Sequence, residues 1–281
     1  NFGREYIIPK PFDPRLITMV APAVAKAAMD SGVATHPILD WNKYEEELLD
    51  RLGSDNKMVR LLTNRAKSDP KRVVFAEADH LDVLKAAQIV WEEGIGHPIL
   101  LGDREVILEL KAEIGFDADV PIYDPKTPEE DKRRFHYADI FWKERRRKGI
   151  SLLDAQKWMR ERNYFAAMMV HEGEADALVT GYSRSYPSVV KPMLQLIGKA
   201  PGISIVASTN MMMTNRGPIF FSDTAINPNP TADDIAKIAI MTANTVKLFG
   251  LEPVMAMVSF SNFGSSNHES AVKLREAVAY L

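Results

Sequence analysis

The chain has 281 residues, enough for one large domain or two ordinary ones with an ample core. Its 35 basic and 38 acidic residues leave a net charge of −3, which offers no basic field for nucleic acid, and the absence of cysteine excludes disulfides, thiolate zinc sites and cysteine nucleophiles. Every apolar run stops well short of the ~18 residues a membrane helix needs, and no signal peptide opens the chain, so a cytoplasmic protein without membrane or nucleic-acid partners is expected.

Residues 7–16 carry Pro9, Pro11 and Pro14 and read as extended. Apolar residues at helical spacing follow from Leu16 to Ser31, with Gly32 as the stop, and a second helix runs from Asp40 to Leu52 before Gly53. Residues 1–53 read either as an arm packing on its own domain or, preferably, as the tail of a preceding domain and a linker. The start at Asn1 rather than methionine points to an internal fragment.

From Lys57 onward, short apolar runs alternate with amphipathic stretches. Arg72–Ala76 is a buried strand, His80–Glu93 a helix stopped by Gly94, Pro98–Gly102 a strand and Arg104–Ile114 a helix. The charge-dense stretch from Lys132 to Gly149 reads as a solvated helix face whose terminal Arg145-Arg146-Arg147-Lys148 suits the helix dipole. Two helical stretches fill Ser151–His171, Ala177–Gly181 is a strand, Pro187–Ile197 holds a helix, and Ile203–Ser208 begins another strand. Pro218–Ser222 is extended. Thr231, with Asp234 three residues on, caps a helix whose stripe is Ile235, Ile238, Ala239, Thr242, Val246 and Phe249. Val254–Ser261 reads as a last strand, with Ser266 or Asn267 capping a helix from about Glu269. This alternation predicts an α/β fold with parallel sheets and helices on both faces.

Polar residues collect at three strand ends. Gly181 to Pro187 leads into a helix N-terminus and supplies Ser183, Arg184 and Tyr186, with Lys191 one turn on; hydroxyls, two cations and helix amides suit a phosphate or pyrophosphate. Phe221 to Pro230 holds Asp223 and Asn227 in a linker stiffened by two prolines, and by itself fits a ligand site and an Asx-type turn equally. Ser259 to His268 offers Ser261, Asn262, Ser265 and Ser266. Three converging strand ends point to a ligand cleft. His80, His171 and His268 lack metal spacing, so no metal site is expected. Glu77 and Asp79 offer a possible general base, but a helix cap with first-turn acids is the favoured account.

The run Asp223-Thr224-Ala225-Ile226-Asn227-Pro228-Asn229-Pro230 before a helix resembles phosphotransacetylases, which move an acetyl group between coenzyme A and phosphate. The resemblance extends from about Lys71 to the last residue, through the Glu77 turn, residues 98–105, Met168-Met169-Val170, Gly173-Glu174-Ala175-Asp176 and the three strand ends. It implies two subdomains, 54–200 and an incomplete 201–281, around a cleft for coenzyme A or its acetyl ester. Phosphates would lie near Arg184, Lys191 and the loop amides, with the acyl end toward Asp223, Asn227 and the Ser265 turn. Three departures matter. Active members carry Pro-Glu-Gly where this chain has Ala76-Glu77-Ala78, with an arginine at about Asp82, and an arginine in place of Lys191. The family's catalytic Ser-Arg and aspartate segment would lie past Leu281, so no catalytic residue is expected here.

Residues 7–16 are similar to the end of the catalytic part of bacterial malic enzymes, and Ser259–Ser265 is similar to large bacterial NADP-dependent malic enzymes that carry a phosphotransacetylase-like region. That resemblance implies a regulatory, acetyl-CoA-sensing region, non-catalytic itself, partnered by the malic enzyme domain of the same chain and by further copies in a homo-oligomer. The whole protein would convert malate to pyruvate and carbon dioxide with NADP and Mg or Mn. The rival readings are an active phosphate acetyltransferase using Lys191 and Asp223, and a structural oligomerisation module.

Overall fold

The computed structural model describes residues 14–51, 54–214, 217–262 and 264–281. The proline-rich stretch before Pro14 and the Gly53 stop lie outside the described residues. The chain divides into two compact units, residues 63–204 (the sheet unit) and residues 1–62 with 205–281 (the hairpin unit).

Three helices come first: α1 (Pro14–Asp30), α2 (Trp41–Asp50) and α3 (Ser54–Ser68). Gly32 ends the first as its sequence predicts, at φ +72°, a left-handed conformation open to glycine at no steric cost. The third carries the chain into the sheet unit, where β1 (Lys71–Phe75), α4 (Leu81–Glu92), β2 (Gly96–Leu101), α5 (Arg104–Ile114) and β3 (Ile122–Tyr123) follow in order. Then come α6 (Asp131–Arg145), α7 (Leu152–Trp158), α8 (Arg162–His171), β4 (Ala177–Val179) and α9 (Tyr186–Leu196). The strands are parallel in the order β3-β2-β1-β4. Two-residue β3 escapes sequence reading because Ile122-Tyr123 is too short to show a period.

Side chains alternate across this sheet with the period of two that a strand imposes. Val74, Ile99 and Leu101 point into a core with Tyr137 and Phe141 of α6 and Phe165 and Met168 of α8. Phe75 and Leu100 point into a second core with Leu84 of α4 and Ile107 of α5. Each fully buried Phe or Leu removes enough apolar surface from water to contribute about 1.5–3 kcal/mol. The helices therefore cover both faces, as the alternating pattern predicts. Local signals set their ends. Asp103 accepts hydrogen bonds from the amides of Glu105 and Val106 to start α5, Ser151 and Asp154 form a capping box on α7, and Gly115 closes α5 at φ +69°.

In the hairpin unit, β5 (Thr209–Thr214) and β6 (Gly217–Ser222) pair antiparallel, followed by α10 (Ala232–Leu248) and α11 (Glu269–Ala279). Thr231 and Asp234 form the reciprocal capping box on α10. Ile238, Ala239, Thr242 and Val246 are buried, while Ile235 and Phe249 at the stripe's edges are only half-buried.

Four expectations change here. Ile203–Ser208 is not a strand, because the ladder starts at Thr209, where residues opposite Ser222 become available. Sequence reading also makes this unit's strands parallel, whereas its described ladder is an antiparallel hairpin. Val254–Ser261 has strand composition but no ladder partner among the described residues, and Val254 is 95% exposed. A strand needs a neighbour for its backbone hydrogen bonds, which composition alone cannot supply. The cap of α11 is His268, not Ser266 or Asn267. No helix among the described residues is long and apolar enough to cross a membrane.

Candidate functional site

The strand order turns on itself beside β1. The chain lays β2 and β3 on one side of it, then returns to place β4 on the other. Ligands of open α/β sheets bind outside the carboxyl ends of strands at such a reversal. Two turns meet there: Ala76 to His80 after β1, and Thr180 to Ser185 after β4.

Both acids of the first turn are committed to the interior. Glu77 is 1% exposed, and its carboxylate accepts hydrogen bonds from the amides of Gly181 (2.7 Å), Tyr182 (2.9 Å) and Ser183 (2.8 Å) and from the Ser183 hydroxyl. Burial alone would raise its pKa. The Ser183 hydroxyl and the three amides outweigh burial and bring it down to about 2. Asp79 pairs bidentately with Arg162 at the start of α8, one contact measuring 2.6 Å, and it also accepts the Asp103 amide. Burial pushes Asp79 up, and the Arg162 hydrogen bond and charge more than reverse it. Neither acid caps α4, where His80 stands at the N-cap without a side-chain bond, so the capping account is overturned. The reason is distance along the chain: partners 83 and 104–106 residues away claim these carboxylates.

Between α7, the first turn of α8 and α9 lies a cavity of about 370 Å³. Lys157, Arg162, Arg184 and Lys191 line it against a single carboxylate, Glu161, with Trp158, Tyr164 and Ser188 also on its wall. Arg162 is neutralised by Asp79, but among the described residues no ion pair engages Lys157, Arg184 or Lys191. The Lys191 ammonium stands 5.5 Å from the Trp158 ring centroid, and that ring stacks on Tyr164 at 5.3 Å. Three cations outside any ion pair among the described residues, beside an indole face, can hold a multiply charged anion carried by a flat ring or an apolar chain.

Of the residues singled out from sequence, the sheet unit brings Arg184 and Lys191 to this cavity. Ser183 stands beside it with its hydroxyl given to Glu77, and Tyr186 opens α9 exposed and off the lining. The remaining six belong to the hairpin unit. Asp223 adopts φ +57°, a left-handed conformation that costs a non-glycine residue about 1–3 kcal/mol. Its amide donates to Ser208 O, and Asn227 Nδ2 donates to Asp223 Oδ1 (2.8 Å) and Val206 O (2.9 Å). Ser261, Asn262, Ser265 and Ser266 form one tight turn: the Ser265 amide donates to Asn262 O and the Ser266 amide to Ser261 Oγ. Lys157, Trp158 and Arg162 were not legible as site residues. The available signal was the charged break Arg160-Glu161-Arg162 between two apolar helices.

Fold and cavity together define an α/β protein with a cation-lined pocket between α7, α8 and α9. The chain belongs to the phosphate acetyl/butaryl transferase family, whose model matches residues 57–281. It is 40% identical, over 99% of its length, to an NADP-dependent malic enzyme of Salmonella typhimurium, of which it spans only 37%. It is 39% identical to a phosphate acetyltransferase of Thermoanaerobacterium thermosaccharolyticum, with 78% of this chain and 68% of that protein covered. Among solved structures, a phosphotransacetylase from Streptococcus pyogenes superposes with a TM-score of 0.69 at 35% identity, covering 79% of this chain and 68% of that one.

Proposed function

We propose that this chain is the acetyl-CoA-sensing part of an NADP-dependent malic enzyme and is not itself a catalyst. The observation that carries the reading is the cavity with uncommitted Lys157, Arg184 and Lys191, found in a family whose members handle acyl and phosphoryl groups. Relatives at 38–40% identity over 99% of this chain are named NADP-dependent malic enzymes. The coenzyme's phosphates would be held by these three cations.

The position where the resemblance places an arginine supports sensing over turnover. Asp82 or a neighbour stands there, and Asp82 accepts the Tyr182 hydroxyl at 2.6 Å, a carboxylate where the resemblance expects a cation. Lys191 likewise keeps a charge but gives up the two-pronged grip of an arginine on a phosphate. The whole protein would oxidatively decarboxylate malate to pyruvate with NADP and Mg or Mn, working in the cytoplasm as a homo-oligomer. Bound acetyl-CoA shifts its activity only through unequal affinity for two arrangements of the subunits.

Calorimetric titration of the full-length protein with acetyl-CoA tests the reading: saturable heat that Lys191→Glu abolishes is expected, and no heat up to millimolar ligand sinks it. The second reading, an active phosphate acetyltransferase, draws on the identity to enzymes of that name. Arsenate-dependent breakdown of acetyl-CoA by the full-length protein, lost in the Lys191→Glu variant, would establish it instead.

A further inference from the structure

Glu77 occupies the place where an anion would be expected. Three consecutive amides, Gly181, Tyr182 and Ser183, converge on its two carboxylate oxygens, and the Ser183 hydroxyl joins them. Successive backbone N–H groups that converge in this way form a concave nest, the arrangement that holds phosphates in many loops. Gly181 at φ +105° bends the chain so that the amides turn inward. In this protein the nest lies at the reversal between β1 and β4, yet its occupant comes from the protein itself. These four donors are used, with the Thr180 hydroxyl also 3.3 Å from Glu77 Oε1, so none of the three amides is left for a ligand.

The same contacts anchor the start of the next helix. Ser183 leads directly to Arg184 and then into α9, which carries Ser188 and Lys191 to the cavity wall. A second tie runs from Thr180 Oγ1 to Asn163 Oδ1 (2.8 Å), and from Asn163 Nδ2 to Ser188 O (3.4 Å). Arg184 makes no ion pair among the described residues, so its placement depends on the loop that carries it.

We propose that Glu77 is the permanent anionic occupant of this nest and thereby the positioning residue for Arg184, leaving the ligand's phosphates to the side chains of Lys157, Arg184 and Lys191. The proposal rests on the acetyl-CoA reading above for its ligand, but the nest stands without it. It replaces loop amides as a phosphate cradle, and it gives a use to a buried acid that a helix cap does not explain.

The test is chemical rescue in the full-length protein. Glu77→Ala empties the nest, and formate, a small carboxylate, can refill it. Acetyl-CoA affinity by calorimetry and the melting temperature are measured with sodium formate and with sodium chloride at equal ionic strength. Glu77→Ala is expected to bind acetyl-CoA at least roughly tenfold more weakly. Formate should recover affinity and melting temperature in that variant while leaving the wild type unmoved. Equal affinity of variant and wild type, or formate acting alike on both, overturns the proposal. If the wild type gives no heat, the acetyl-CoA reading fails, and the formate effect on melting still decides the nest. If Glu77→Ala does not fold, Glu77→Gln keeps the shape but turns a donor toward the Ser183 amide. A loss of roughly tenfold in its affinity is then expected, and unchanged affinity overturns the proposal.

Discussion

Glu77 and Asp79 stand two residues apart on one turn, and each is held ionised by a different means. For Glu77 the folded pKa of about 2 lies below its ordinary value of 4.5, so protons bind the unfolded chain more readily. Its contribution is fully present above pH 4.5 and is lost as the pH falls toward 2; a shift of this size corresponds to about 3 kcal/mol. Urea midpoints measured between pH 7 and pH 3 are expected to fall more steeply for the wild type than for Glu77→Gln. For Asp79 the partner is a full charge, but Arg162 also borders the cavity and keeps some access to solvent when that partner is removed. Asp79→Ala is therefore expected to lower unfolding free energy by about 1.5–3 kcal/mol in denaturant titrations. At the pocket, Arg184→Glu should abolish acetyl-CoA heat with little change in stability, because Arg184 is exposed and makes no ion pair among the described residues. Arg184 and Lys191 were legible in the sequence because they follow a strand that ends in glycine and serine. Arg162 and Asp79 were not, since their pairing spans 83 residues.

At the scale of elements, some helix ends were legible and others, the starts of α4 and α11, were not. The Thr231 and Asp234 box forms as its spacing predicts, and Thr231→Ala should cost about 1 kcal/mol, read as a lowered thermal midpoint. Gly102, just past β2, has a role that no spacing reveals. A Cβ there would stand 3.0 Å from Asp79 Cγ and 3.2 Å from its amide nitrogen. Gly102→Ala must push the Asp79–Arg162 pair aside, and a loss of about 1–3 kcal/mol is expected in the same melting experiment. Strands were less legible than helices. Arg72–Ala76 and Pro98–Gly102 match β1 and β2 within a residue or two because both carry an apolar run, Val73–Phe75 and Pro98–Leu101, whose later residues are buried on both faces. Ile203–Ser208 and Val254–Ser261 carry the same composition without becoming ladders.

For the molecule as a whole, that second segment leaves a mark on the surface. Val254, Val258 and Phe260 are largely exposed on one extended stretch, and contiguous apolar surface of this kind favours association. Replacing the three with Thr, Thr and Ser is expected to reduce self-association of the 281-residue chain, measured by light scattering over a concentration series. The sequence by itself determined the α/β class, the helices on both faces, the Thr231–Asp234 cap of α10 and two of the cations at the pocket. Each of these follows from residues within a few positions of one another, where period, capping and turn chemistry act. Only the tertiary structure decided that Glu77 fills the nest, that Asp79 neutralises Arg162, and that Lys157 and Trp158 join Arg184 and Lys191 around one cavity. Those contacts arise because β4 pairs with β1 across about a hundred residues of chain, and no local rule encodes which donors such a pairing brings to a carboxylate.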